Sequence, residues 1–253
     1  MRGIQDIGAE GILLAGGGRA ILLQIANPAV GAGVAAHSDF ANRPLDRLRG
    51  TMTYLYAIGF GTPENVAEVR RRVNRAHGPV RRKADAHGDG YDAFDPGLQL
   101  WVAATLYDTA LQIYERVYGE LDEESAEAFY RQYEVVGTAL QVPVGSWPAD
   151  REAFRRYWRQ SVAGLTVTPE ARRVAWDLLH PRTAPLWLKA AMPLARLLTA
   201  GLLPDELRDA YGLPWSAASA RRFERFWRAA AVIYPRLPRR LRHALKNRYL
   251  RAL

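Results

Sequence analysis

Apolar positions recur every three to four residues along most of the chain, and the pattern gives helix after helix. From Pro63 onward Val66, Val69, Val73, Ala76 and Val80 form one stripe, while Arg70, Arg71, Arg72, Arg75, Arg81 and Arg82 cover most of the remaining surface. Thr62-Pro63-Glu64 and Thr168-Pro169-Glu170 are helix starts, each with a capping Thr, a Pro at the first helical position and an acid in the first turn. Helices are expected at 19–35 (bent at Pro28), 44–58, 63–83, 97–118, 122–141, 149–163, 169–180, 186–201, 204–211, 215–233 and 238–251. After Pro28 no alternation at period two stands out. The expected architecture is all-α, a single helical domain over 1–253 with short connections, and His87 to Pro96, rich in Gly, Asp and Pro, is its least structured interval.

The segment Leu98 to Tyr118 is apolar nearly all round and should run through the middle of the domain. Trp101, Thr105, Asp108 and Gln112 share one edge of it, at i, i+4, i+7 and i+11. A buried Asp108 needs a partner: it can orient a neighbouring imidazole or pair with an arginine.

The composition narrows the chemistry. Of 253 residues 49% are hydrophobic and 24% charged, globular proportions that exclude a disordered or collagen-like chain. The absence of cysteine removes disulfides, thiolate metal sites, thiol nucleophiles and covalent haem attachment. The five histidines (His37, His77, His87, His180, His243) include no pair at i,i+3 or i,i+4 spacing, so a local helical di-histidine site is absent as well. A metal has to come with a prosthetic group or be gathered from distant residues. The net charge of +9 sits in one place: residues 221–253 hold eleven Lys/Arg against Glu224 alone, a net +10, which leaves −1 for everything before them. Asp6 and Glu10 stand where a secretory signal would have its apolar core, so a cytoplasmic location is expected. The apolar stretches Ala20–Ala36 and Ala184–Pro204 are interrupted by polar residues and Pro, and read as buried helices.

Several residues carry candidate chemistry. Gly11 to Arg19, with Gly16-Gly17-Gly18, looks like a nucleotide-binding turn followed by Asp39, but the sixth position of the glycine pattern is Ile21 and no P-loop lysine follows, so it reads as a glycine-rich bend between helices. His77 lies eleven residues after Val66, about 20° away in projection, and so points toward the core, where an imidazole needs a hydrogen-bond partner or a metal. Periodicity alone favours the satisfied core histidine. Arg47 and Thr51 are i,i+4 and share a face with Tyr54 and Ile58; such a pair suits a bound carboxylate or oxygen ligand, while a surface arginine beside an aspartate would look the same.

Taken in order, Gly16 to Val30 (GGGRAILLQIANPAV), His37-Ser38-Asp39-Phe40, Arg47-x-x-x-Thr51, Val73-Asn74-Arg75-Ala76-His77 and Trp101-Val102-x-x-Thr105-Leu106 resemble the MpaB and rubber-oxygenase (latex-clearing protein) family. Leu198 to Pro204 and Arg208 to Trp215 fit as well, so the resemblance covers nearly the whole chain. It implies a distantly globin-like all-α core that holds haem b without covalent attachment, one histidine on the iron, and O2 as co-substrate in the oxidative cleavage of isoprenoid C=C bonds. His77 is similar in position to the iron ligand. Arg47 and Thr51 match a polar pair near the haem; Arg47 would anchor a propionate or a substrate carboxylate. His37 or Asn27 would donate a hydrogen bond on the distal face, Asp108 would orient His77, and Trp101 and Thr105 would help line the site.

The chain departs from the latex-clearing pattern at three points. Gly50 stands where those members have Lys, no acid between Arg19 and His37 replaces their glutamate, and Asn27 stands where many bacterial relatives have His. The expected function is thus a haem-dependent oxygenase acting on a small apolar substrate with an unidentified electron donor; the alternative is a non-catalytic haem- or ligand-binding protein of the same fold. The basic tail forms a further element, with Leu237, Leu241, Leu245 and Tyr249 at spacings of four, suited to packing on the body or to peripheral membrane contact. Nucleic acid is not expected, because stacking aromatics are sparse there.

Overall fold

The computed structural model describes residues 1–38, 43, 45–84 and 90–253. Asp39, Phe40 and His87, named above, lie outside the described residues. Among the described residues the chain is all-α apart from two two-residue strands. It runs through α1 (Ile4–Ile7), a 3-10 turn (Gly11–Gly16), α2 (Gly17–Ala26), α3 (Pro28–His37), α4 (Asp46–Phe60) and α5 (Pro63–His77). Strand β1 (Arg81–Arg82) then pairs antiparallel with β2 (Tyr91–Asp92), Arg81 opposite Asp92. Next come α6 (Pro96–Tyr118), α7 (Glu123–Tyr133), α8 (Val135–Thr138), α9 (Arg151–Ala163), α10 (Pro169–Leu179) and α11 (Leu186–Leu202). The chain closes with α12 (Asp205–Ala210), α13 (Ala217–Ile233), α14 (Arg239–Arg242) and α15 (Ala244–Leu250).

The start signals operate as expected: Thr62 and Thr168 accept from the backbone of Asn65 and Ala171, each just ahead of a proline. Several expectations need correction, and the helices expected over 122–141 and 238–251 each form two shorter ones, α7 with α8 and α14 with α15. The helix drawn over 63–83 stops at His77, because Gly78 and Pro79 follow and Pro79 has no N–H to extend the ladder. The single bent helix over 19–35 is two helices, and the segments Gly11–Ala26 and Pro28–His37 meet at 110°. Asn27 makes the corner, its Oδ1 accepting from the N–H groups of Ala29 and Val30 at 3.1 and 3.3 Å. The pairing of Arg81–Arg82 with Tyr91–Asp92 is too short to leave an alternating pattern in the sequence. No single helix among the described residues is long and apolar enough to cross a membrane.

Helix α6 runs through the middle, as its apolar circumference requires: Trp101, Ala104, Thr105, Tyr107, Ile113 and Val117 are all buried. Three apolar clusters meet on it. One joins α2, α3, α10 and α11 around Leu22, Leu23 and Ile25. A second gathers Tyr107, Phe129, Tyr130, Tyr133, Trp147 and Phe154, whose rings contact one another at centroid distances of 4.9 to 6.3 Å. The third packs Ile113 and Val117 against Phe223 and Trp227 of α13.

The glycine triplet explains how α2 approaches both neighbours. A Cβ on Gly16 would strike Thr109 and Ile113 of α6, and one on Gly18 would strike Thr199 of α11. Only hydrogen atoms fit at those two contacts. At Gly17 a Cβ would meet nothing within 4 Å.

Candidate functional site

That open space is part of an apolar cleft between the 3-10 turn and α2 on one side, α4 on the other, and α6 and α7 at the base. Its cavity volume is about 110 Å³, smaller than most ligand pockets, and one side is open to solvent. Leu13, Ile21, Met52, Leu55 and Phe60 supply apolar walls, and Gln24, Thr51 and Thr109 supply polar groups.

A polar relay runs beside this cleft. Arg47 Nη2 donates to Gln24 Oε1 at 3.4 Å, Gln24 Nε2 donates to Thr105 Oγ1 at 3.1 Å, and Thr105 Oγ1 donates to the Val102 carbonyl at 2.7 Å. Gln24 and Thr105 are buried, so a hydrogen bond to each is obligatory rather than incidental. Arg47 pairs with no carboxylate among the described residues; the neighbouring ion pair is Arg43 with Asp46. Burial draws the Arg47 pKa down from its ordinary value, yet a guanidinium stays protonated in proteins. Among the described residues the site therefore holds a partly buried positive charge with no anion against it.

His77 lies near this charge. Burial lowers its pKa and the Arg47 guanidinium lowers it further, so the imidazole is neutral at physiological pH. Its Nδ1 is buried and has no hydrogen-bond partner, and its ring meets Phe94 edge-on at 6.2 Å. The core histidine satisfied by a hydrogen bond, which periodicity favoured, is thus not what forms. Among the described residues no three His, Asp or Glu side chains gather as a metal cluster, so a metal at His77 has to bring most of its ligands with it. An imidazole neutral and unpartnered at Nδ1 and an arginine with no anion against it among the described residues suit an iron porphyrin bearing carboxylates, whereas the neighbouring cleft would have to widen to admit one. His77 itself does not line the cleft, whose polar wall nearest the relay is Gln24 and Thr51.

The other expected site residues divide. Asp108 does not orient His77: its carboxylate pairs with Arg19 Nη2 at 2.6 Å, while Arg19 also donates to Thr109 Oγ1 at 2.6 Å and to the Leu202 carbonyl at 2.8 Å. Burial raises the Asp108 pKa even though Arg19 pulls it down. Trp101 is buried and stacked on Trp158 at 5.4 Å, away from the cleft lining. His37 Nε2 lies 3.3 Å from the Tyr91 hydroxyl, and Asn27 spends its carbonyl oxygen on the α3 cap. Neither lines the cleft. Gln24 was not singled out from the sequence; a lone Gln among Ile and Leu in an apolar stretch was the available signal.

The family model for the catalytic domain of the ER-bound oxygenase mpaB/B′ and rubber oxygenase matches residues 4–232. The chain belongs to this family. An uncharacterized protein of Mycobacterium bovis and an uncharacterized protein of Mycobacterium tuberculosis are each 40% identical to it over 209 residues, 81% of this chain and 82% of theirs. No solved structure matches the chain. Gly50, one of the departures named in the sequence analysis, is exposed, and a Cβ there would meet nothing within 4 Å. Its glycine is therefore not demanded by packing.

Proposed function

We propose that the protein is a b-type haem oxygenase that binds a small apolar or isoprenoid-like molecule in the cleft and oxidises it with O2. The observation that carries this reading is the neutral, unpartnered imidazole of His77 beside the carboxylate-free guanidinium of Arg47. When bound, haem supplies the iron at which O2 is held and activated. His77 would be its ligand, already in the neutral form that coordination requires. Arg47 would neutralise a propionate, held in place from behind by Gln24. Leu55, Met52 and Phe60 exclude water from the apolar part of the cleft, and Thr51 offers a hydroxyl at its wall. A cytoplasmic location and an external electron donor belong to the same proposal.

A second reading has a specific observation behind it. The surface at Gly50 is open where the latex-clearing members carry a lysine, which favours a haem- or ligand-binding protein that retains the cofactor and lacks the cleavage chemistry. Visible absorption of the protein expressed with haem supplementation, beside His77→Ala, tests the first step. A Soret band lost or shifted in the variant supports His77 ligation, and an unchanged band overturns it. Carbonyl product from an alkene under O2, dependent on His77, then separates oxygenase from binding protein; haem binding without product leaves the second reading.

A further inference from the structure

The basic charge of residues 221–253 is on the surface, and it surrounds exposed aliphatic side chains. Arg228, Arg236, Arg239 and Arg240 are exposed and pair with no carboxylate among the described residues. Beside them Val232, Ile233 and Leu241 are 55%, 59% and 63% exposed, and Leu237 is exposed as well. Ile233, Leu237 and Leu241 recur every four residues through the end of α13, the turn at Pro235 and Pro238, and α14. The packing expected for this tail is made by Tyr249 of the expected stripe together with side chains outside it. Arg242 donates to Glu10 and to the Tyr118 hydroxyl, both at 2.5 Å, and the Tyr234 hydroxyl accepts from Ile12 N–H at 3.1 Å. Lys246 sits 5.0 Å over the Phe60 ring and Tyr249 lies 5.6 Å from Tyr56. The segment is thus clamped to the 3-10 turn and to α4, the two opposed walls of the cleft, with its remaining aliphatic and arginine side chains facing outward.

We infer that this outward face, from Arg228 to Leu241, docks on an anionic lipid bilayer. Aliphatic side chains ringed by arginines match the two terms of interfacial binding, burial of apolar area and attraction to anionic headgroups. Arginine stems extend that apolar area while their charged ends stay at headgroup level. A nucleic acid would use the charge but gain nothing from the aliphatics. The aromatic rings of the segment are engaged within the protein: Phe223 and Trp227 are buried, half-buried Phe226 packs on Trp227, and Tyr234 and Tyr249 contact Tyr118 and Tyr56. The docking does not depend on what the cleft holds, and the family match stops at residue 232, short of most of this face.

Sedimentation of the full chain with vesicles of phosphatidylcholine, or of phosphatidylcholine mixed with phosphatidylglycerol, tests it. Binding is expected to the anionic vesicles and to weaken with salt. Arg236→Gln/Arg239→Gln/Arg240→Gln should lower the affinity about a hundredfold, about fivefold per arginine. Ile233→Gln/Leu237→Gln/Leu241→Gln, which alters only exposed side chains, should lower it at least about tenfold with an unchanged melting curve. Failure to bind anionic vesicles overturns the proposal. So does binding that survives the aliphatic variant while a DNA duplex binds more tightly, which would make the tail a nucleic-acid surface. Loss of binding in Trp187→Ser instead would move the contact to the exposed start of α11, and would equally overturn it.

Discussion

Arg19 and Asp108 meet at 2.6 Å across the α2–α6 interface, and the arginine, only 3% exposed, also holds Thr109 and the carbonyl of Leu202. One side chain thereby ties α2 to α6 and to the end of α11. Removing one member of such a pair leaves a buried charge without compensation, which costs about 3 kcal/mol or more. Asp108→Ala is expected to lower unfolding stability by about that amount in urea. Arg19→Met/Asp108→Leu, which removes both charges, should recover much of the loss. An Asp108→Ala protein as stable as the wild type would show that the pair contributes nothing.

The three adjacent glycines respond differently to one methyl group. Gly17→Ala points into the cleft and relieves backbone entropy at a helix start, so it should stabilise by a few tenths to about 1 kcal/mol. Gly18→Ala drives its methyl into buried Thr199 and should cost about 1–3 kcal/mol. Gly17→Leu fills the cleft and should weaken uptake of an apolar fluorescent probe at nearly unchanged melting temperature. Equal destabilisation by the two alanines would contradict the contrast.

The elements were legible because the residues that start and stop them are local. Thr62-Pro63 and Thr168-Pro169 announce helices within four residues, and the all-round apolar pattern of α6 announces burial. The overshoot past His77 came from Val80 extending the stripe beyond Gly78-Pro79. The partners were not legible. Asp108 finds Arg19 across 89 positions of sequence, and periodicity assigns each only a face, not the residue opposite. The same gap hid Gln24, which links Arg47 to Thr105 across the α4, α2 and α6 helices. Asn27, expected at the distal face, is taken up by the corner that Pro28 creates.

The depressed pKa of His77 predicts a pH dependence of stability. The folded state disfavours the protonated imidazole, by burial first and by Arg47 second, while the unfolded chain titrates near 6.5. Below that value the unfolded state binds the proton that the folded state resists, so the His77 contribution is fully present above about pH 6.5 and is lost as pH falls through that region. His77→Gln should flatten the slope of melting temperature against pH below 6.5 and leave it unchanged above. An identical slope in wild type and variant would mean that His77 titrates alike in both states.

Arg47 is held by a neutral amide, and the charge on that amide position should decide what else the arginine can bind. Gln24→Glu places a carboxylate at a site where Oε1 now lies 3.4 Å from the guanidinium, giving the buried cation a protein anion. The ligand-free protein should then melt higher, because the guanidinium gains a full negative charge in place of an amide dipole. The same substitution takes Arg47 away from any external carboxylate, so haem titrated into the variant should bind at least about tenfold more weakly, a loss of about 1.4 kcal/mol. Gln24→Leu separates the two effects. It removes the support without supplying an anion, leaving Thr105 and Arg47 each short of a hydrogen bond at a cost of about 1–3 kcal/mol, while the arginine stays open to a ligand carboxylate. If haem binds wild type and Gln24→Glu with equal affinity, Arg47 does not hold a propionate, and the unpaired guanidinium has to be explained by a substrate anion instead.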